Sequence, residues 1–221
     1  PRSPFVPLSG DKPDVLKTSF RSSLGKDGGV STLIVVAHPD PTSLTRDVAA
    51  RLAAALPTGQ VEIADLAAEG FDPRFTLADR HSFLVGGDYP EDVAAEIARV
   101  ERADHLVLVF PVFWWSMPAV LKGWIDRVFV NGWAFGVGEG EGIRPGLGRL
   151  TAHMIPIAGS DAALYERRGY DASIATQIGT GIFDYCGIRR GLTEFLYDAD
   201  SGAAVADVDG VVERIAAAVR G

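Results

Sequence analysis

The sequence predicts an α/β domain with a five-stranded parallel sheet and helices on both faces. Three observations lead there. From residue 31 onward, short apolar runs and segments of helical spacing alternate five times. The runs are close to continuous, as strands covered on both faces must be. The length, 221 residues, suits one such domain or one domain plus an extension.

Residues 1–30 are rich in Pro, Gly, Ser and charge and show no period. They are expected to be an irregular N-terminal extension, with the domain spanning residues 31–221. The first strand is "TLIVVA". "LTRDVAARLAAAL" follows it, with Leu44, Val48, Leu52 and Leu56 at helical spacing. "QVEIADL" is the second strand. Residues 70–90, which hold "EGFDPRF" and "GGDYP", are expected to be irregular. A helix starts after Pro90 and puts Val93, Ile97 and Val100 on one face. "DHLVLVFPVF" is the third, fully buried strand. Ser116 is placed to cap the next helix, and Pro118 falls in its first turn, where a missing N–H costs little. A glycine-rich linker covers 136–148, and "GVGEGEG" within it reads as a solvated loop. "RLTAHMIPIAGS" is the fourth strand with its exit loop, "ASIATQIGTGIFDYCG" a helix, and "TEFLYD" the fifth strand. The last helix carries Val208, Val211, Val212, Ile215 and Val219 on one stripe.

Five strands are too few for two nucleotide-binding halves, which favours the flavodoxin-like order 2-1-3-4-5. In such sheets a ligand sits beyond the carboxyl ends of the strands. That gathers three loops: 38–45, 111–117 and 156–165.

Composition narrows the function. The net charge of −8 argues against nucleic acid or an anionic membrane as partner. A phosphate-bearing cofactor must then be held locally, by a helix N-terminus or a few placed side chains. The single cysteine, Cys186, excludes an internal disulfide and a cysteine zinc site, and reads as a small buried residue. It fits a reducing compartment, so the expected location is cytoplasmic. His81, His105 and His153 lack metal-ligand spacing, and no metal is expected. No signal peptide is visible, the longest apolar stretch is far short of a membrane span, and there is no G-x-S-x-G elbow.

The three loops carry the chemistry. "AHPDPTSLT" has hydroxyls on Thr42, Ser43 and Thr45 at the start of a helix, where free N–H groups and the dipole favour an anion. A phosphate seat and simple N-capping both fit. His38 either pairs with a phosphate or closes the turn. In "PVFWW", Pro111 ends the strand and turns the chain, so the N–H groups of residues 112–115 can point at a ligand. A flat ring needs such donors at its polar edge and apolar walls on its faces. Neighbouring side chains in extended chain point opposite ways. One of Trp114 and Trp115 is therefore expected in the core or an interface, and the other in a pocket. "IAGSDAALY" is small and flexible before Tyr165, whose hydroxyl can donate to a developing anion or simply lie on the surface.

Taken together, "LIVVAHPDPTSLT", "VFPVFWWSMPAVLKGWIDRVF", "NGWAFG" and "RRGYDASIATQIGTGIFDYCGI" resemble the NAD(P)H:quinone oxidoreductases of flavodoxin-like fold, over roughly residues 31–200. The shorter bacterial members of that family include modulators of drug activity and ancillary flavoproteins of potassium efflux. The resemblance implies a bound flavin (FAD, with FMN as the alternative), NADPH or NADH as reductant, a quinone or similar aromatic acceptor, and a homodimer with the site at its interface. It puts His38, Ser43, Leu44 and Thr45 on the pyrophosphate and ribityl side. Pro111, Val112, Phe113, Trp114 and Trp115 run along the isoalloxazine. Ile157, Ala158, Gly159 and Ser160 form the loop at its polar edge. Tyr165 is the catalytic tyrosine, and Trp133 and Phe135 line the substrate slot from the second subunit.

Two departures matter. Longer animal enzymes of the family have a histidine a few residues after that tyrosine. Here the segment reads "YERRGYDAS", with Tyr170 or Asp171 near that place, and Tyr170 is taken as a substrate contact. "IAGS" also lacks the threonines of "TTGG", so hydrogen bonds there must come from backbone. The rival functions are reduction of free flavin, azo dyes or nitroaromatics in the same slot, and a regulatory flavoprotein docked on a membrane transporter.

Overall fold

The computed structural model describes residues 31–138 and 142–221. The extension expected at residues 1–30 and the tip of the "GVGEGEG" loop lie outside the described residues.

Five strands form one parallel sheet: β1 (Thr32–Val36), β2 (Val61–Asp65), β3 (His105–Pro111), β6 (Thr151–Ile157) and β7 (Arg189–Thr193), in the order β2-β1-β3-β6-β7. This is the expected 2-1-3-4-5 order. A separate antiparallel pair, β4 (Phe135–Gly138) and β5 (Gly142–Pro145), stands between β3 and β6 in the chain. The helices are α1 (Leu44–Ala55), α2 (Leu77–Val85), α3 (Glu91–Arg102), α4 (Ala119–Val128), α5 (Ala162–Arg168), α6 (Tyr170–Ile174), which runs on as a π-helical stretch over Ala175–Asp184, and α7 (Val208–Arg220).

The continuous apolar runs serve two cores. Leu33, Val35, Leu106, Leu108 and Phe110 point to one face, where α3, α4 and the Ile174–Phe183 helix cover them. Ile34, Val36, Val107 and Val109 point to the other, beneath α1 and α7. The period of two is present, but both faces are apolar, so the sequence shows a run instead of an alternation.

The structure corrects four expectations. Residues 70–90 hold helix α2, capped by a reciprocal box between Thr76 and Asp79. Its buried side chains are Asp79 and Ser82 while Leu77 points outward, so its polarity runs opposite to an ordinary amphipathic helix. Asp79 meets Arg127 of α4 at 3.0 Å, and Arg127 also grips Asp92 of α3 at 2.6 Å. Second, Ser116 does not cap α4. Pro118 takes that position, and the Ser116 hydroxyl donates to Gln177 Oε1 at 2.9 Å. Third, part of the glycine-rich linker is the β4–β5 pair.

Fourth, the fifth strand opens at Arg189, earlier than "TEFLYD". That segment continues the same edge, with Glu194 N–H donating to Met154 O and Leu196 N–H to Pro156 O. Between them the ladder is irregular because the imidazole of His153 enters it. Leu192 N–H donates to His153 Nδ1 at 3.0 Å, and a Cβ on Gly191 would overlap the ring. The glycine at 191 is what lets β7 pass.

Candidate active site

β1, β3 and β6 are neighbours in the sheet, so their carboxyl ends open side by side. At the β1 exit, His38 Nδ1 accepts the Asp40 N–H at 3.0 Å and closes the turn. Asp40 Oδ1 accepts both the N–H and the hydroxyl of Thr42, each at 2.8 Å, and these bonds hold the Asp40 carboxyl below the usual range. Ser43 is the N-cap of α1, its Oγ accepting Arg46 N–H at 3.4 Å. Thr45 is buried, and Leu44 packs against the α1–α7 core. Arg46 is held by Asp65 at 2.9 Å. The hydroxyls placed here by sequence therefore serve mainly the turn and the cap, and a carboxylate already stands before the helix.

At the β3 exit, Pro111 stays in the ladder opposite Ile157, and Val112 N–H donates to Ile157 O at 2.8 Å. Phe113 and Ser116 then exchange backbone hydrogen bonds of 3.0 and 3.1 Å around a two-residue turn. Its central residues are Trp114 and Trp115, with φ of 49° and 56°. Side chains rarely adopt this left-handed region, and a bulky one there costs about 1–2 kcal/mol. Neither indole is core: Trp114 is 87% exposed and Trp115 38%. The expectation that one is buried assumed extended chain; the turn turns both outward. Of the four N–H groups expected to face a ligand, those of Val112 and Phe113 have sheet and turn partners. Those of Trp114 and Trp115 have no acceptor among the described residues.

Beyond β6, residues 162–168 are helical, capped by Asp161, whose Oδ1 accepts Leu164 N–H at 2.6 Å. The loop is thus shorter and firmer than the expected flexible segment. Ala158 N–H donates to Leu196 O at 2.8 Å and Ala158 O accepts Ala199 N–H at 3.0 Å, while Ser160 O accepts Asp198 N–H at 3.1 Å. The Asp200 carboxylate lies so close to Gly159 that a Cβ there would overlap it. A glycine is required where that carboxylate crosses the loop.

Tyr165 projects from α5 into a nest of rings and is 4% exposed. Its ring meets Tyr197 edge-on at 5.3 Å, Tyr170 at 5.6 Å and Phe195 at 5.8 Å. Tyr170 in turn stacks on Trp115, with centroids 4.5 Å apart and planes 27° apart. Burial, with the neighbouring phenols of Tyr197 and Tyr170, pushes the Tyr165 hydroxyl up to about 12. Burial and then the Asp171 carboxylate raise that of Tyr197. The structure thus brings Trp115, Tyr165 and Tyr170 together. It adds Phe195 and Tyr197, which the sequence reading treated as strand. Their spacing of two, placing both rings on one side, was the available signal.

Two predicted contacts are elsewhere. Phe135 is buried, its ring against Phe83 at 5.8 Å and Tyr185 at 5.1 Å, and presents no open face. The Trp133 indole N–H donates to Glu101 Oε1 at 2.9 Å and its ring packs on Phe129. Trp124 is fully buried, its N–H donating to Glu96 Oε2 at 2.8 Å. Among the described residues no His, Cys, Asp and Glu side chains cluster to hold a metal ion, and no helix is long and apolar enough to cross a membrane.

Comparisons with known proteins agree with this fold. A family model described as flavodoxin-like fold matches residues 31–219. An uncharacterized NAD(P)H oxidoreductase of Haemophilus influenzae is 32% identical, over 72% of this chain and 79% of the relative. The ribosyldihydronicotinamide dehydrogenase [quinone] of Pongo abelii is 28% identical, over 73% and 78%. Among solved structures, the NAD(P)H:quinone oxidoreductase from Methanothermobacter marburgensis superposes with a TM-score of 0.75 at 26% identity, over 87% of this chain and 98% of that one.

Proposed function

Because the chain belongs to the NAD(P)H:quinone oxidoreductase family of flavodoxin-like fold, we propose that it reduces quinones with NAD(P)H, two electrons at a time, with a flavin seated beside the Trp114–Trp115 turn and the Trp115–Tyr170 stack. One observation carries the placement. The turn leaves two N–H donors without acceptors beside the exposed Trp114 and Trp115 rings, at the carboxyl ends of adjacent parallel strands. A flat ring with a polar edge needs that combination.

When bound, the flavin supplies the redox chemistry. The chain's own residues orient and polarise. The Trp114 and Trp115 N–H groups and the loop at Ile157–Ser160 face the polar edge. The Tyr165 hydroxyl keeps its proton through the neutral range, so it acts as a hydrogen-bond donor toward negative charge that develops in the slot. The Trp115, Tyr170, Tyr197 and Phe195 rings keep water away from that donor, which strengthens its field. FAD is the proposed flavin, with FMN as the alternative. His38, Ser43, Leu44 and Thr45 lie on its phosphate side. Nicotinamide and quinone use the same slot in turn, and Tyr170 offers its ring to the acceptor. A second copy of the chain completes the site as a homodimer, with Trp133 nearer the rim and Phe135 as support beneath it.

Purified protein is expected to be yellow, to release one flavin per subunit whose mass identifies it, and to reduce quinones faster than azo or nitro compounds. Protein that stays colourless after incubation with FAD and with FMN sinks the proposal.

A further inference from the structure

The Trp114–Trp115 turn is held in a conformation that its own residues oppose. Both tryptophans take a left-handed φ, and a bulky side chain stays there only where the surroundings over-determine it. The backbone pair between Phe113 and Ser116 closes the turn. A two-residue turn closes equally well in other conformations, which point its central N–H groups elsewhere. A second restraint is needed to select this one.

The helix that begins at Tyr170 supplies it at two points. The Tyr170 ring stacks on Trp115, with centroids 4.5 Å apart. Further along, Gln177 Oε1 accepts the Ser116 hydroxyl at 2.9 Å, and Gln177 Nε2 donates to Ser173 Oγ at 3.2 Å. Tyr170, Ser173 and Gln177 stand at i, i+3 and i+7, the spacing of one helix face. That face engages the turn: a ring on Trp115, an amide on Ser116, and a hydroxyl that orients the amide. A serine just before a helix ordinarily caps it, but Pro118 holds that place in α4 and the Ser116 hydroxyl is drawn to Gln177 instead. Gln177 opens the π-helical stretch Ala175–Asp184, a helical form that recurs at functional sites. Its side chain is exposed, so its replacement leaves the core intact.

We infer that Gln177 is a positioning residue: it anchors Ser116 and so keeps the Trp114 and Trp115 N–H groups turned toward the flavin. This rests on the function proposed above and assigns Gln177 no flavin contact of its own. Gln177→Met removes the acceptor at nearly the same side-chain length, and Ser116→Ala removes the donor. Each should weaken flavin binding by about fivefold, the worth of one hydrogen bond, when flavin-free protein is titrated with FAD and with FMN. The double variant should lose no more than either single one, because both remove the same bond. Ser116→Thr keeps the hydroxyl and should bind as the parent does. In flavin-free protein, Gln177→Met should shift the backbone amide NMR signals of Trp114 and Trp115 and leave those of Trp124 and Trp133 in place. Unchanged binding in a single variant, additive losses in the double one, a Ser116→Thr as weak as Ser116→Ala, or unmoved Trp114 and Trp115 signals overturns the inference. Parent protein that binds neither flavin overturns the underlying function instead, and the amide signals still decide the clamp.

Discussion

Tyr165 owes its character to its surroundings more than to its own chemistry. A phenol pushed up to about 12 by burial is a donor and not a base at any ordinary assay pH. Tyr165→Phe keeps the ring contacts with Tyr170, Phe195 and Tyr197 and removes only the donor. Flavin retention should be unchanged, and reduction by NAD(P)H should slow by about tenfold, the low end for one lost donor. Stopped-flow absorbance decides, and an unchanged rate makes Tyr165 a wall only. His153 shows the same principle away from the site. It is buried, accepts Leu192 N–H at Nδ1, and so carries its proton on Nε2 toward His105 Nδ1, 3.0 Å away. Burial, then His105, depresses it to about 4. The unfolded chain therefore binds a proton that the folded one excludes. Its contribution is complete above about pH 6.5 and is lost as pH falls toward about 4, by up to about 3 kcal/mol. Urea midpoints across that window should fall for the parent and fall less for His153→Gln.

Helix α4 explains its own motif. In "PAVLKGWIDRVF", the glycine is needed because any Cβ on Gly123 would overlap Pro73 of the chain leading to α2. Trp124 ties α4 to Glu96 of α3, and Arg127 ties it to Asp79, Asp92 and the Asp72 carbonyl. The Phe71 ring lies 5.4 Å from the Arg127 guanidinium. The motif is thus a brace that ties the second half of α4 to α3, to α2 and to the chain leading into α2. Gly123→Ala should lower stability by about 1–3 kcal/mol through overpacking, read as an earlier thermal midpoint. A midpoint equal to the parent's would mean that the Pro73 loop yields freely. Helix α2, the other end of the brace, hides from periodicity because its inward side chains are Asp79 and Ser82. They are buried by partnership with Arg127 and backbone, not by hydrophobicity.

For the whole molecule, the aromatic side chains Trp124, Phe129 and Phe135, on and after α4, are all buried within one subunit. A dimer must therefore use other apolar surface. Phe75, Leu77 and Val85 on and before α2 are exposed, Leu77 by 84%, as is Trp114 on the slot. Sedimentation at micromolar concentration should give twice the chain mass for the parent and a lighter species for Leu77→Lys/Val85→Lys. A parent that sediments as an active monomer refutes the homodimer; a variant that stays dimeric moves the interface away from α2.

The order of the sheet, the two apolar faces, the three converging loops and the helix stripe from Val208 to Val219 were legible in the sequence alone. Each follows from local periodicity or chain order, and both are written directly in the residues. What only the tertiary structure decided depends on partners distant in sequence. Tyr197 meets Tyr165 because β7 runs beside β6, and β7 bends because His153 enters its ladder. Thr42 and Ser43 serve a turn and a cap because Asp40 and Arg46 reach them first. The two tryptophans face outward because Phe113 and Ser116 close a left-handed turn beneath them. A residue type states what a side chain can bond to; the fold decides which partner arrives, and so which donors, rings and charges are left for a ligand.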